Sequence, residues 1–218
     1  MTYFDNAATT LHKPPAVARA VREALRRGGG AGRGGHRAAM WSADTMLSCR
    51  QEAALLFGVS DPERVTFTSN ATHALGLAIG SVAVRPGRVL TSGYEHNAVM
   101  RPLEALKGKG YTIETLTAPL FEPEMMMHRF EEALSGDVVF AVCTHVSNVF
   151  GYILPIERIG QLCLSRGVPL VVDASQSAGC LPLDAGRLPG AYIGMPGHKG
   201  LYGQHYMHNS CNPCGTSG

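Results

Sequence analysis

Charge is scarce in this chain. Asp, Glu, Lys and Arg make up 17% of 218 residues, and the net charge is +2. That excludes a basic stripe for nucleic acid and an acidic tail, and leaves small molecules as the default partner class. Long apolar runs are missing too, and Met1 to Asp5 carries neither a charged nor an apolar leader. No membrane attachment is expected, and the location expected is cytoplasmic. The six cysteines, at 49, 143, 163, 180, 211 and 214, lack the spacing of a disulfide framework, which suits a reducing compartment. What is present is apolar material: 45% hydrophobic residues suffice for one good core, hence one domain. Cys143 and Cys163 sit in apolar segments and read as small buried hydrophobes. The methionines at 125, 126 and 127 read as packing rather than as a metal site.

Short apolar runs alternate with segments of helical period. Helices are expected over 16–27, 38–57, 69–82, 97–107, 125–134 and 155–166, with strands over 64–68, 88–92, 111–116, 138–144, 168–173 and 191–194. Strands alternating with helices at this spacing predict an α/β fold: a doubly wound, mainly parallel sheet with helices on both faces and right-handed crossovers. Gly30, Gly32 and Gly35 satisfy a Gly-x-Gly-x-x-Gly pattern. Context rejects it, because a helix rather than a strand precedes these glycines.

The stretch around which the chain is organised joins two rim segments. The run Val168 to Val172 delivers Asp173 at its carboxyl end, and the run Ala191 to Gly194 is followed by Gly197-His198-Lys199-Gly200. In an open parallel sheet both arrive at the ligand-binding edge. A carboxylate and an amine brought together there suit pyridoxal 5'-phosphate, whose aldehyde takes an amine and whose ring nitrogen takes an anionic partner. Taken singly, Asp173 reads as a helix cap and Lys199 as a solvated loop lysine. The Ser69-Asn70-Ala71-Thr72 segment places a strand end before a helix N-terminus, which accepts either an anion or a plain N-cap.

Asp173-Ala174-Ser175-Gln176-Ser177-Ala178-Gly179 followed by Gly197-His198-Lys199-Gly200-Leu201-Tyr202-Gly203 resembles the class V aminotransferase branch of fold-type I pyridoxal-phosphate enzymes, specifically the cysteine desulfurases. The resemblance runs from Tyr3 to Gly203, and takes in Asp5-Asn6-Ala7-Ala8-Thr9 along the active-site mouth. It implies that Lys199 bonds the cofactor aldehyde and that Asp173 pairs with the ring nitrogen. By the same resemblance His96 stacks on the ring and moves protons, while Gln176 and Asn148 contact the phenolic oxygen and the substrate. Ala71, Thr72 and His198 are implied to hold the phosphate. The implied reaction converts L-cysteine to L-alanine and passes sulfur to an enzyme thiol as a persulfide. A homodimer and a sulfur-acceptor protein are implied as partners, and Arg33 to Arg37 resembles a glycine-rich loop near the dimer interface.

Two features depart from that pattern. Pro196 stands where many members carry a hydroxyl for the phosphate. After Gly203 the wording changes, and residues 204–218 read as a divergent, disordered tail behind a cofactor-binding domain of residues 1–203. The expectation is a truncated or frameshifted end, without the small C-terminal domain that supplies the substrate-gripping arginine and the persulfide cysteine. Turnover is then expected to be impaired, and the sheet to have a gap or an unusual edge between the lysine-bearing strand and the strand at Val65. His205, His208, Cys211 and Cys214 have zinc-ligand composition but lack the long intervening loop of ordinary sites, so no metal is expected. A selenocysteine lyase, an aminotransferase and a non-catalytic remnant remain the alternative readings.

Overall fold

The computed structural model describes residues 2–32, 34–204 and 208–211, the last four in backbone. Two helices come first, α1 (Pro15–Arg27) and α2 (Arg37–Leu56), followed by β1 (Val65–Thr68) and α3 (Ala71–Val82). Then come β2 (Arg88–Ser92), α4 (Asn97–Lys107), β3 (Thr112–Leu116), α5 (Pro123–Ala133) and β4 (Val138–Thr144). The chain continues through α6 (Ile156–Ser165), β5 (Leu170–Asp173), β6 (Tyr192–Pro196) and β7 (His208–Cys211). One sheet has the order β1-β7-β6-β5-β4-β2-β3. Strands β3, β2, β4, β5 and β6 pair in parallel, and β7 runs antiparallel to both its neighbours.

Each central strand feeds two cores because successive side chains point to opposite faces. In β4, Phe140 and Val142 join α3 and α4 in one cluster. Ala141 and Cys143 join α5 and α6 in the other. In β5, Val171 goes to the first cluster and Leu170 and Val172 to the second. Cys143 and Cys163 are fully buried in this packing, as are Met126 and Met127, whereas Met125 is exposed.

Most expected elements are present with boundaries shifted by a residue or two, and β2, α4 and β4 coincide with expectation. Before β1, Asp61 Oδ1 accepts the Glu63 N–H at 2.9 Å and caps a short 3-10 helix, Pro62–Arg64, that turns the chain into the strand. The correction concerns the gap or unusual edge expected between β6 and β1. Residues 208–211 occupy it, with Cys211 opposite both Val65 and Ile193. Two strand edges with unsatisfied N–H and C=O groups are a strong template for any segment that can extend. His205 and Cys214 lie outside the described residues, as does Arg33 of the glycine-rich loop.

Candidate cofactor site at the carboxyl edge of the sheet

β5 ends on Asp173, whose side chain is only 2% exposed. Its Oδ1 accepts the Ser175 N–H at 2.9 Å. Burial raises the carboxyl above its ordinary range, while the Ser175 hydrogen bonds and the nearby His96 and Lys199 pull it back. In the neighbouring strand β6, Gly194 lies opposite Asp173, and the chain then turns through Gly197 and His198 to Lys199. Lys199 is half-buried. Burial lowers its pKa, and Asp173 opposes that effect.

The Asp173 turn and the lysine turn meet backbone to backbone. Gly179 has φ +78°, and a Cβ there would lie 2.5 Å from the Gly200 carbonyl oxygen; a Cβ on Gly200 would lie 2.4 Å from the Ala178 carbonyl oxygen. Only glycine fits either position. The close approach brings Gln176 to Lys199. With its amide oriented to satisfy both neighbours, Gln176 accepts from Lys199 Nζ at 3.2 Å and donates to the Ala7 carbonyl at 3.3 Å. The amino-terminal arm latches the same turn. The His198 carbonyl accepts from Thr9 Oγ1 at 3.2 Å, Thr10 Oγ1 at 3.1 Å and the Thr10 N–H at 3.2 Å. The His198 ring meets Thr9 Oγ1 through Nδ1 at 3.0 Å.

Three other strand ends complete the wall. At the start of α3 the Asn70 side chain caps the His73 N–H at 2.7 Å. The N–H groups of Ala71 and Thr72 precede the first intrahelical bond and sit at the positive end of the helix dipole. At the start of α4, His96 is itself the N-cap, its Nδ1 accepting the Ala98 N–H at 3.0 Å. Nδ1 is thereby an acceptor, so a proton on the neutral ring sits on Nε2. After β4, Ser147 Oγ accepts the Val149 and Phe150 N–H groups, each at 3.4 Å, in the turn that carries exposed Asn148.

A cavity of about 290 Å³ lies among these ends. Asp173, Gln176, His198 and Lys199 line it from β5 and β6, and Ala71, Thr72, His96 and Asn148 from the other three strand ends. All eight site residues singled out in the sequence therefore face one space. Asn70, Ser175 and Pro196 also line it. Sequence reasoning treated Asn70 only as a cap and gave Ser175 no role. It also gave no role to Glu95. Its Oε1 accepts from Ser92 Oγ and from the Thr144 N–H at 2.7 Å, and its Oε2 is buried. Burial pushes the Glu95 carboxyl up to about 8, against the Ser92 and Thr144 hydrogen bonds, and Asp173 adds to the rise. The one signal in the sequence was its place before His96.

This donor set fits pyridoxal phosphate. An anion cradle at a helix N-terminus, a buried carboxyl and a half-buried amine whose pKa burial lowers open on one space. Its volume is at the low end of the roughly 300–1,000 Å³ typical of small-molecule pockets.

The family model described as aminotransferase class V matches residues 2–205. The cysteine desulfurase IscS of Pectobacterium carotovorum subsp. carotovorum strain PC1 is 35% identical over 208 residues, covering 92% of this chain and 50% of the relative. The apo structure of the cysteine desulfurase from Thermococcus onnurineus NA1 superposes with a TM-score of 0.84 at 27% identity, over 97% of this chain and 53% of that one. A structure titled SspA in complex with cysteine shares the fold at a TM-score of 0.85 and 24% identity, over 97% of this chain and 61% of that one. The chain spans about half the length of the curated relatives it matches. Enzymes of these families depend on pyridoxal phosphate. With matching sequence along nearly its whole length and the α/β fold of its solved neighbours, the chain belongs to the class V aminotransferase family.

Proposed function

We propose that this chain carries the cofactor-binding part of a cysteine desulfurase-like enzyme, one that takes L-cysteine to L-alanine and delivers sulfur as a persulfide. The supporting observation is the meeting of Asp173 and Lys199 in a cavity that also opens on the N-terminus of α3. Pyridoxal phosphate, when bound, supplies an electron sink that weakens bonds at the substrate's α-carbon.

The chain's own residues do the rest. Lys199, with its pKa lowered by burial, presents a larger share of the free amine that carbonyl chemistry needs. Asp173 holds a negative charge against a protonated ring nitrogen, and that partner offsets the burial that now disfavours its charge. His96, with Nδ1 engaged by Ala98, has Nε2 available to hold or move a proton over the cavity. Ala71, Thr72 and His198 take the phosphate, and Gln176 and Asn148 contribute amide hydrogen bonds to the cofactor and substrate. Pro196 lines the cavity without a hydroxyl, so the helix N-terminus carries more of the phosphate than it would beside a serine.

Residues 1–203 form the cofactor-binding domain in this reading, with 204–218 as a divergent segment. A second copy of the chain is the proposed partner at α1 and α2, where Leu25, Leu47, Leu55 and Leu56 are exposed. A sulfur-acceptor protein is the proposed destination of the persulfide. A cytoplasmic setting agrees with free thiols at Cys49, Cys143, Cys163 and Cys180.

Absorbance spectroscopy tests the reading directly. Purified protein mixed with pyridoxal phosphate should develop a visible band that Lys199→Ala abolishes, while a band unchanged by that substitution, or none at all, would overturn the assignment. The 218 residues by themselves should capture cofactor with little turnover of cysteine. Cysteine, selenocysteine and amino/keto-acid pairs assayed in parallel separate desulfurase from the other class V activities.

A further inference from the structure

Glu95 bridges two strands from the turn that carries His96. Ser92 ends β2 and Thr144 ends β4, which is paired with β2 in the sheet. Both residues donate to the same oxygen, Glu95 Oε1. Thr144 lies opposite Asp173 in the next ladder, and its Oγ1 donates to the Asp173 carbonyl at 3.4 Å. The His145 N–H donates to that same carbonyl at 2.9 Å. A continuous run of contacts thus links the His96 turn to the Asp173 strand end through Glu95. Glu95 Oε2 is buried and has no hydrogen-bond partner among the described residues.

Two carboxyls buried in one region are costly to charge together. Their surroundings differ in kind. Asp173 has His96 and Lys199 beside it, both of which favour its charged form, as well as the Ser175 N–H. Glu95 has a neutral hydroxyl, a neutral amide, and one neighbour that disfavours its charge, the Asp173 carboxyl from β5; the Cys143 thiol of β4, itself pushed up by burial, is the other titratable group beside it. The proton of the pair therefore belongs on Glu95.

We propose that Glu95 is a positioning residue that works as an uncharged acid: it clamps the His96 turn to the end of β4 and leaves Asp173 as the single anion of the buried pair. Its consequence for the ring nitrogen rests on the cofactor reading above; the clamp itself does not. A carboxyl with a raised pKa in the fold contributes stability that is complete below its unfolded value and is lost as pH rises through its folded value. For Glu95 that window runs from the ordinary carboxylate range up to about 8.

The test compares wild type, Glu95→Gln and Glu95→Ala. Melting of the cofactor-free proteins is followed from about pH 5 to about pH 9, and pyridoxal phosphate affinity is measured by absorbance titration. Wild type should lose melting temperature relative to Glu95→Gln as pH rises, with the difference levelling off above about 8. At neutral pH Glu95→Ala should bind cofactor roughly tenfold more weakly, since it strands two buried donors, and Glu95→Gln should rescue most of that loss. Parallel melting profiles for wild type and Glu95→Gln would overturn the proposal, as would a glutamine variant as weak as the alanine one. If Glu95→Ala does not fold, Ser92→Ala replaces it. Removing a donor that favours the charged form should move the alkaline midpoint upward, and a midpoint that stays or falls counts against the proposal. Should no lysine-dependent band appear in any protein, the cofactor reading fails, and the melting profiles still decide the state of Glu95.

Discussion

The sheet block and the leading helical pair are built from similar sequence patterns and end up in opposite conditions. In α3, Ala74, Leu75, Ala78, Ile79 and Val82 are buried against the sheet. In α1, Val17, Ala20, Val21, Ala24 and Leu25 recur with the same helical period, yet no residue of that helix is buried. Helix α2 buries three alanines, Ala39, Ala53 and Ala54, over its 20 residues. The pair is held by polar and cationic contacts: Gly29 N–H donates to Ser42 Oγ at 3.0 Å, and the Arg27 guanidinium sits 5.1 Å from the Trp41 ring centre. A helical period shows that an apolar face exists; it does not show that the same chain covers it.

The largest effects should fall where coverage is complete. Leu75 is fully buried in the α3–α4 cluster and Leu25 is 84% exposed. Leu75→Ala should cost about 2–5 kcal/mol in urea unfolding, from lost transfer energy plus the cavity left behind. Leu25→Ala, at low protein concentration, should stay within about 0.5 kcal/mol of wild type. Equal losses at the two leucines would break the comparison and place a hidden partner over α1.

The second effect depends on concentration. If a second copy covers α2, raising protein concentration should raise the melting temperature by mass action. Leu55→Glu, on a residue now 80% exposed, should abolish that rise. Analytical ultracentrifugation should show a concentration-dependent dimer in wild type and a monomer in the variant. A wild type that stays monomeric at micromolar concentration would remove the second copy as the explanation for the exposed face.

The same contrast governs how much of the structure was legible. Strands β2 and β4 and helix α4 were readable because the chain itself supplies start and stop signals and the core that covers them: the His96 cap opens α4, and Gly108 follows its last residue. The rim positions of Asp173 and Lys199 followed from strands that end where ligands bind in such sheets. Strand β7 was illegible, because His208-Asn209-Ser210-Cys211 has no strand propensity worth reading. Its pairing is dictated by the edges of β1 and β6. Glu95 escaped for a related reason: its burial arises from Ser92 and Thr144 on two different strands, and no local period reports it. The Thr9 and Thr10 latch spans 189 and 188 residues of sequence, beyond the reach of any window.

The smallest effect lies at the helix caps, which allow both regions to be probed by one kind of bond. Asn70 caps α3 inside the site, accepting the His73 N–H at 2.7 Å, and His36 caps α2 in the leading pair, with Nδ1 accepting the Ala39 N–H at 3.3 Å. Asn70→Ala should cost about 1 kcal/mol, and Asn70→Ser should return most of it, because serine caps nearly as well. Cofactor affinity should fall only slightly in Asn70→Ala, since the Ala71 and Thr72 N–H groups remain in place as long as α3 holds. His36→Ala should cost less than Asn70→Ala in the dilute protein. A frayed first turn in α2 exposes little that was covered, whereas a frayed first turn in α3 loosens Ala74 and Leu75 from the sheet. Equal costs at the two caps would mean that cap strength is a property of the helix end alone. A clear excess at Asn70 would mean that the sheet block makes its local bonds count by tying them to buried side chains.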